Sequence, residues 1–111
     1  MAATDIALMD LTEVADAIAA KDISAVETTE ACLARIDAWQ PAVNAFIDLR
    51  ADEALAAARQ ADAALASGAT PGPLHGVPMA HKDMYYRAGK VSTCGAAIRR
   101  DFVADRTSTV M

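Results

Sequence analysis

Lys82 and Asp83 close a run, Gly72-Pro-Leu-His-Gly-Val-Pro-Met-Ala-His-Lys-Asp83, that interrupts an otherwise alanine-rich helical sequence. Three of the chain's four prolines and two of its five glycines lie between Pro71 and Pro78, and this mixture of fixed and permissive φ specifies one backbone path. The path releases the chain into Met79-Ala80-His81-Lys82, which reads as a short strand. A lysine withdrawn from water at the end of a strand loses ammonium hydration, and its neutral amine becomes available as a general base. Asp83 would favour the charged form instead, except that strand alternation sends the two side chains to opposite faces. On the residues alone, a catalytic Lys82 stands beside two plainer readings, an ordinary surface lysine and a structural ion pair.

The other reactive side chains offer less. His75 and His81, separated by Gly76 and Pro78, match no helical metal-ligand spacing, so no metal is expected. Ser92, Thr93 and Cys94 carry hydroxyl and thiol groups, but no activating histidine and orienting acid can be placed beside them, and Cys94 is expected to pack as a small apolar residue. No phosphate-binding glycine loop of the Walker or dinucleotide type is present, and no cofactor is expected.

Three amphipathic stretches must position this run. Leu11, Val14, Ala15 and Ile18 recur at helical spacing and predict a helix from Leu11 to Ala20, with Asp10 or Thr12 as its cap. Ser24 and Glu27 have the spacing of a capping box and start a second helix, whose apolar stripe is Val26, Cys32, Leu33, Ile36 and Trp39 and whose end is set by Pro41. Val43–Ile47 reads as a short strand. A third helix follows from Ala51 to Ala66, with Leu55, Ala58, Ala61 and Leu65 inward, Asp52, Glu53, Arg59, Gln60 and Asp62 solvated, and Gly68 as its stop. Beyond it, Val91–Gly95 is a further extended candidate. Asp105–Thr109 reads as a helix start, and a helix nucleated so close to residue 111 predicts a truncation or fragment boundary there.

Composition narrows the function classes. The 111 residues suit one domain, but alanine supplies about half of the 54% hydrophobic content and buries little area per residue. A net charge of −5 with no basic patch argues against a nucleic-acid or anionic-membrane surface. The sequence shows neither a signal-peptide pattern nor a membrane-length apolar run, and Cys32 and Cys94 lie far apart as expected of reduced thiols, so the chain reads as soluble and cytoplasmic.

The run Gly72–Asp83, followed by Gly89, Ser92-Thr93-Cys94-Gly95 and Asp105–Val110, closely resembles the N-terminal part of the amidase signature family; Ser24–Phe46 is similar to that family's entry helices and first strand. The resemblance implies an α/β amidase signature fold, of which only the N-terminal helices and first few strands are present. Residues 1–67 would be a helical scaffold with one short strand, and residues 68–111 the lysine-bearing strand and following loop. It implies a cofactor-independent amide-bond hydrolase with a Ser-cisSer-Lys triad in which Lys82 is the general base, with Asp83, Ser92 and Thr93 supporting it. No Gly-Gly-Ser-Ser-type run that could supply both serines occurs in the sequence, so the 111 residues alone are expected to be inactive. His81 stands where the family more commonly has Val or Ile.

The partners implied are a small-molecule amide and the remaining, C-terminal part of the same domain, with no direct nucleic-acid contact and no membrane. Whether the chain forms a homo-oligomer is left open. One alternative is the glutamine-hydrolysing component of a tRNA-dependent amidotransferase. Another, of a different class, is an inactive fragment or helical interaction module whose apolar surface binds another chain.

Overall fold

The computed structural model describes residues 6–111. They form two compact units, one ending at Pro78 and one spanning Met79–Met111. Among the described residues the first contains the helices α1 (Leu11–Ala20), α2 (Ala25–Val43) and α3 (Ala51–Ala66).

Each helix starts and stops for a local reason. At α1, Asp10 accepts from the Glu13 N–H at 2.9 Å while the Glu13 carboxylate accepts from the Asp10 N–H at 2.8 Å, so two free donors are answered reciprocally. Lys21 ends α1 at φ 64°, with Asp22 N–H reaching back to Ala17 O at 2.9 Å. The Ser24–Glu27 box forms as its spacing predicts, and these hydrogen bonds, first from the Ser24 backbone and then from its hydroxyl, hold the Glu27 carboxyl below its ordinary range. At the end of α3, Gly68 at φ 89° donates to Leu65 O at 3.2 Å and Ala69 donates to Ala64 O at 3.0 Å, the paired closure that a glycine stop allows.

Two features of α2 differ from the sequence reading. The helix runs through Pro41 and ends at Val43, where Asn44 at φ 45° donates back to Gln40 O at 2.8 Å. Its fully buried side chains are Ala25, Thr28, Thr29 and Ala31, whereas Val26, Cys32, Leu33 and Ile36 are half-buried and Trp39 is 57% exposed. The threonines tolerate burial because their hydroxyls donate to the carbonyls one turn back, Thr28 to Ser24 O at 2.9 Å and Thr29 to Ala25 O at 2.8 Å. Ala25 and the half-buried Ala61 are small enough to let neighbouring backbone come close.

Asp62 also departs from its expected solvated place. Half-buried on α3, its carboxylate accepts from Ala25 N–H at 2.7 Å and Val26 N–H at 3.1 Å, answering the first free donors of α2 from another helix. The core beside this contact is Ile6, Val14, Ile18, Ile23, Ala31 and Leu65, with Ala7, Met9, Ala17 and Val77 against it.

Residues 71–78 belong to the helical unit. His75 Nε2 donates to Ala61 O at 2.9 Å, a bond that fixes the tautomer because a carbonyl only accepts. Gly76, at φ 74°, lies so close to the helices that an added Cβ would stand 2.8 Å from Ala25 Cβ and 3.3 Å from Ile18 Cγ2.

The strand expected at Val43–Ile47 does not form: Val43 is the last residue of α2 and residues 44–47 are a loop. Gln40 occupies its backbone groups: its Oε1 accepts from Ala45 N–H at 3.0 Å and Phe46 N–H at 3.1 Å, and its Nε2 donates to Phe46 O at 2.8 Å. Met79–Lys82 likewise has no ladder partner, and no regular strand forms among the described residues. In the second unit Val91 and Val103 make one isolated antiparallel bridge, flanked by Ser92 N–H to Phe102 O at 3.0 Å and Ala104 N–H to Lys90 O at 3.0 Å. A 3-10 turn spans Ala97–Arg99. The expected helix start at Asp105–Thr109 is a set of turns, because its hydroxyls are used elsewhere: Ser108 Oγ accepts from Tyr86 N–H at 2.9 Å and Thr107 Oγ1 from Ala88 N–H at 3.1 Å.

Two measurements check this account. Gly76→Ala adds both a left-handed backbone penalty and overpacking, and should lower stability to urea by roughly 2–4 kcal/mol; Gly72→Ala, with open space around it and no positive φ, should stay within about 0.5 kcal/mol. Because the Glu27 carboxyl is lowered in the folded chain, the stability it adds is fully present above its unfolded-state value and is lost as pH falls through its folded value. Glu27→Gln should therefore show a shallower loss of urea midpoint on acidification than the native chain.

Candidate functional site

The chemistry-bearing residues of the Met79–Met111 unit converge on one backbone turn. Lys82 is exposed and its carbonyl accepts from Tyr85 N–H at 3.0 Å, turning the chain immediately after it. Asp83 is half-buried and points into a knot built by Ser92, Thr93 and Cys94. Its carboxylate Oδ2 accepts from Thr93 N–H at 3.0 Å and takes a short hydrogen bond from the Thr93 hydroxyl. Its carbonyl accepts from Cys94 N–H at 3.0 Å and from the hydroxyl of Ser92, itself only 2% exposed, at 3.0 Å. Thr93 Oγ1 in turn accepts from Gly95 N–H at 3.0 Å, so one hydroxyl serves both sides of the turn.

Local conformation makes this possible. Cys94 and Gly95 stand at φ 51° and 72°, consecutive left-handed residues that fold the 92–95 amides back toward Asp83. Cys94 is exposed, contrary to the expectation that it packs as a small apolar side chain; its backbone, held by Asp83, matters here and its thiol faces water. Cys32 in α2 is half-buried, and burial pushes its thiol above the ordinary value, which keeps it protonated and unreactive near neutral pH.

The site residues read from the sequence are thus partly joined. Asp83, Ser92 and Thr93 form a single hydrogen-bonded group, and Lys82 lies beside it in the chain without an ion pair among the described residues. Lys82 is not set in a strand, and the Asp83 carboxylate is separated from it by engagement with Thr93 rather than by strand alternation. His75, in the same run, is held by Ala61 O in the helical unit.

Sequence reading missed a second cluster. Arg99 Nη2 donates to Tyr86 Oη at 2.7 Å, and its guanidinium carbon lies 4.1 Å from the Phe102 ring centroid and 5.6 Å from that of Tyr86. The two rings meet at 5.4 Å, tilted by 51°. No periodicity marks these three residues; the signal was only that three of the chain's five aromatic side chains, Tyr85, Tyr86 and Phe102, lie beyond residue 78.

Comparison with known proteins places this geometry in context. The family model described as Amidase matches residues 27–111, which include Lys82 and the whole Asp83 knot. Curated relatives include the A-type subunit of the glutamyl-tRNA(Gln) amidotransferase of Chloroflexus aurantiacus, 44% identical over 97% of this chain and 22% of its own length. Its counterpart of the same name in Acidothermus cellulolyticus is 48% identical over 89% of this chain and 20% of its own. The chain therefore spans about a fifth of the length of the curated relatives it matches. A solved structure, described as an inhibitor-bound vestigial protein complex bearing on the evolutionary origins of an s-triazine catabolic enzyme, superposes with a TM-score of 0.82 at 31% identity, covering 89% of this chain and 22% of that one.

The knot makes its own prediction. Thr93→Val removes the hydroxyl shared by Asp83 and Gly95 and should lower the local opening free energy by about 1–3 kcal/mol, read as faster hydrogen exchange at the Cys94 amide. Thr93→Ser, which keeps the hydroxyl, should exchange at close to the native rate.

Proposed function

The chain belongs to the amidase family, and we propose that it is the lysine-bearing segment of an α/β amide hydrolase in which Lys82 is the general base of a Ser-cisSer-Lys triad. One observation carries this reading: the Asp83 carboxylate, the nearest acid in the chain, is taken up by the Thr93 N–H and hydroxyl, and Lys82 is left outside that group. An amine meant to accept a proton must not be held as an ammonium by a paired carboxylate. The exposure of Lys82 fits a segment whose active-site cover comes from chain outside it, where the further strands of the α/β fold would also lie.

In the proposed reaction Lys82 takes a proton from the middle serine, which takes one from the nucleophilic serine as that oxygen attacks the amide carbonyl. The amine or ammonia leaves with a proton, backbone N–H groups beside the nucleophile hold the oxyanion, and water releases the acyl group as a carboxylate. Asp83, Ser92 and Thr93 do no proton transfer; they fix the backbone on which Lys82 stands. Neither serine has a counterpart in this sequence, so the reaction needs both from outside these residues, and the substrate is a small carboxamide. The setting is cytoplasmic and no organic cofactor or metal enters the steps.

A second reading is favoured by the names of the curated relatives. As the corresponding component of a glutamyl-tRNA(Gln) amidotransferase, the protein would release ammonia from glutamine for transamidation of a misacylated tRNA and would act together with partner chains. Both readings use the same Lys82.

The test is ammonia release from glutamine and from simple carboxamides. The purified 111-residue chain should release none, and a polypeptide joining it to the serine-bearing remainder of the domain should lose about 10²–10⁴-fold in kcat on Lys82→Ala. Hydrolysis by the 111 residues alone, lost on Lys82→Ala, would sink the requirement for outside serines. Unchanged hydrolysis by the Lys82→Ala form of the joined polypeptide would remove Lys82 from the mechanism.

A further inference from the structure

We propose that Arg99 is a positioning residue for the Lys82 segment, acting through Tyr86 and Phe102; this rests on the reading of Lys82 as the base. The contacts form a closed circuit. From Asp83 the chain runs to Tyr86, whose hydroxyl accepts from Arg99 Nη2 at 2.7 Å. The Arg99 guanidinium lies over the Phe102 ring at 4.1 Å. The Phe102 carbonyl accepts from Ser92 N–H at 3.0 Å, and the Ser92 hydroxyl returns to the Asp83 carbonyl at 3.0 Å. Arg99 is the member of this circuit whose side chain touches both rings, adding a polar bond and a cation–ring stack to the Tyr86–Phe102 contact that joins the turn after Lys82 to the return segment.

Its chemistry fits that bridging place. A guanidinium is flat enough to stack on one ring while its edge N–H reaches the hydroxyl of the other, a combination that an ammonium cannot make in one pose. Arg99 Nε is buried and has no hydrogen-bond partner among the described residues. An arginine present only to solubilise the surface would keep that donor in water; here the donor is withdrawn because the stack and the Tyr86 bond fix the side chain. Tyr86 is held a second time through its backbone, its N–H donating to Ser108 Oγ and its carbonyl accepting from Ser108 N–H, both at 2.9 Å. The turn after Lys82 is therefore anchored on the Asp83 knot at one end and on Tyr86 at the other. The Tyr85 N–H, next to Tyr86 in the chain, donates to the Lys82 carbonyl at 3.0 Å, so slack at Tyr86 reaches the Lys82 backbone through that bond.

The experiment is amide hydrogen exchange and two-dimensional amide NMR on the 111-residue chain with Arg99→Met, Arg99→Lys and Tyr86→Phe. Arg99→Met should speed exchange at the Thr93 and Cys94 amides by about tenfold and displace the Lys82 and Asp83 cross-peaks, while the amides of α1 and α3 keep native rates. Tyr86→Phe, which keeps the ring and loses one bond, should act in the same direction with a smaller effect, and Arg99→Lys should fall between native and Arg99→Met. Should Arg99→Met unfold residues 79–111, the two milder variants decide. Uniform acceleration across 79–111 with an unmoved Lys82 cross-peak means a role in general stability only and overturns the proposal. Native exchange at Thr93 and Cys94 in Tyr86→Phe and Arg99→Lys overturns it as well. These readouts do not depend on hydrolysis, so failure of Lys82 as the base, seen in the activity of Lys82→Ala, is a separate result.

Discussion

The helical unit is organised by a side chain that is absent. Gly76 brings its backbone within a Cβ's reach of Ala25 at the start of α2 and of Ile18 in α1, and Ala61 of α3 stands close by. Any larger residue at these positions would open the approach, and with it the contact by which Asp62 on α3 receives the first two N–H groups of α2. That carboxylate does two things in one place: it satisfies donors that the helix itself leaves free, and it puts negative charge at the positive end of the helix dipole. Small side chains thus substitute close polar contact for apolar area. This suits a chain whose hydrophobic content is largely alanine, because alanine contributes little transfer free energy but permits short distances.

The Met79–Met111 unit solves a different problem by similar means. With a single β-bridge and one 3-10 turn, it has few backbone pairs of the regular kind. Its polar groups are answered by irregular backbone bonds and, at the turns, by side chains. Asp83 takes the Thr93 donors, the Ser92 hydroxyl donates to the Asp83 carbonyl, and Thr107 and Ser108 take the Ala88 and Tyr86 N–H groups. Such bonds are specific, since each requires one hydroxyl or carboxylate at one position, but they leave apolar side chains outward: Met79 is 69% exposed, Ile98 95% and Val110 71%. In the joined domain proposed above, those side chains are the ones with most to gain from cover.

What the sequence made legible follows the range of the forces involved. Caps act over three or four residues, so Asp10, Ser24–Glu27 and Gly68 could be read directly, and α1 and α3 fall where their periodicity puts them. The resemblance carried by Gly72–Asp83 also stood, because a motif is local in sequence. Strands were the harder inference. Val43–Ile47 and Met79–Lys82 have extended-type composition, but a strand is defined by its partner, and Gln40 supplies the first stretch with side-chain bonds in place of a ladder. The inward face of α2 was misread for a related reason: threonine looks solvated until its hydroxyl is seen to bond the preceding turn. Asp62 and Arg99 could not be found by pattern: the donors to Asp62 lie 37 and 36 residues back, and Arg99 joins a ring three residues on to a hydroxyl 13 residues back.

The motif itself divides in two. A run that includes the lysine proposed as the base invites the view that every residue in it serves the reaction, yet His75 is spent on Ala61 O and Gly76 on clearance from Ala25, both within the helical unit. These two would be required for folding whether or not Lys82 ever accepted a proton. Lys82 and Asp83 belong to the following unit, where Asp83 turns its charge to Thr93. On the proposed reading, the chemical half of the run is as short as two residues, and one of those acts by not pairing with the other. It follows that a chain keeping Gly76 and His75 while losing Lys82 would still fold its helical unit, and that a match to this run tests the packing of the helices as much as it tests the presence of a base.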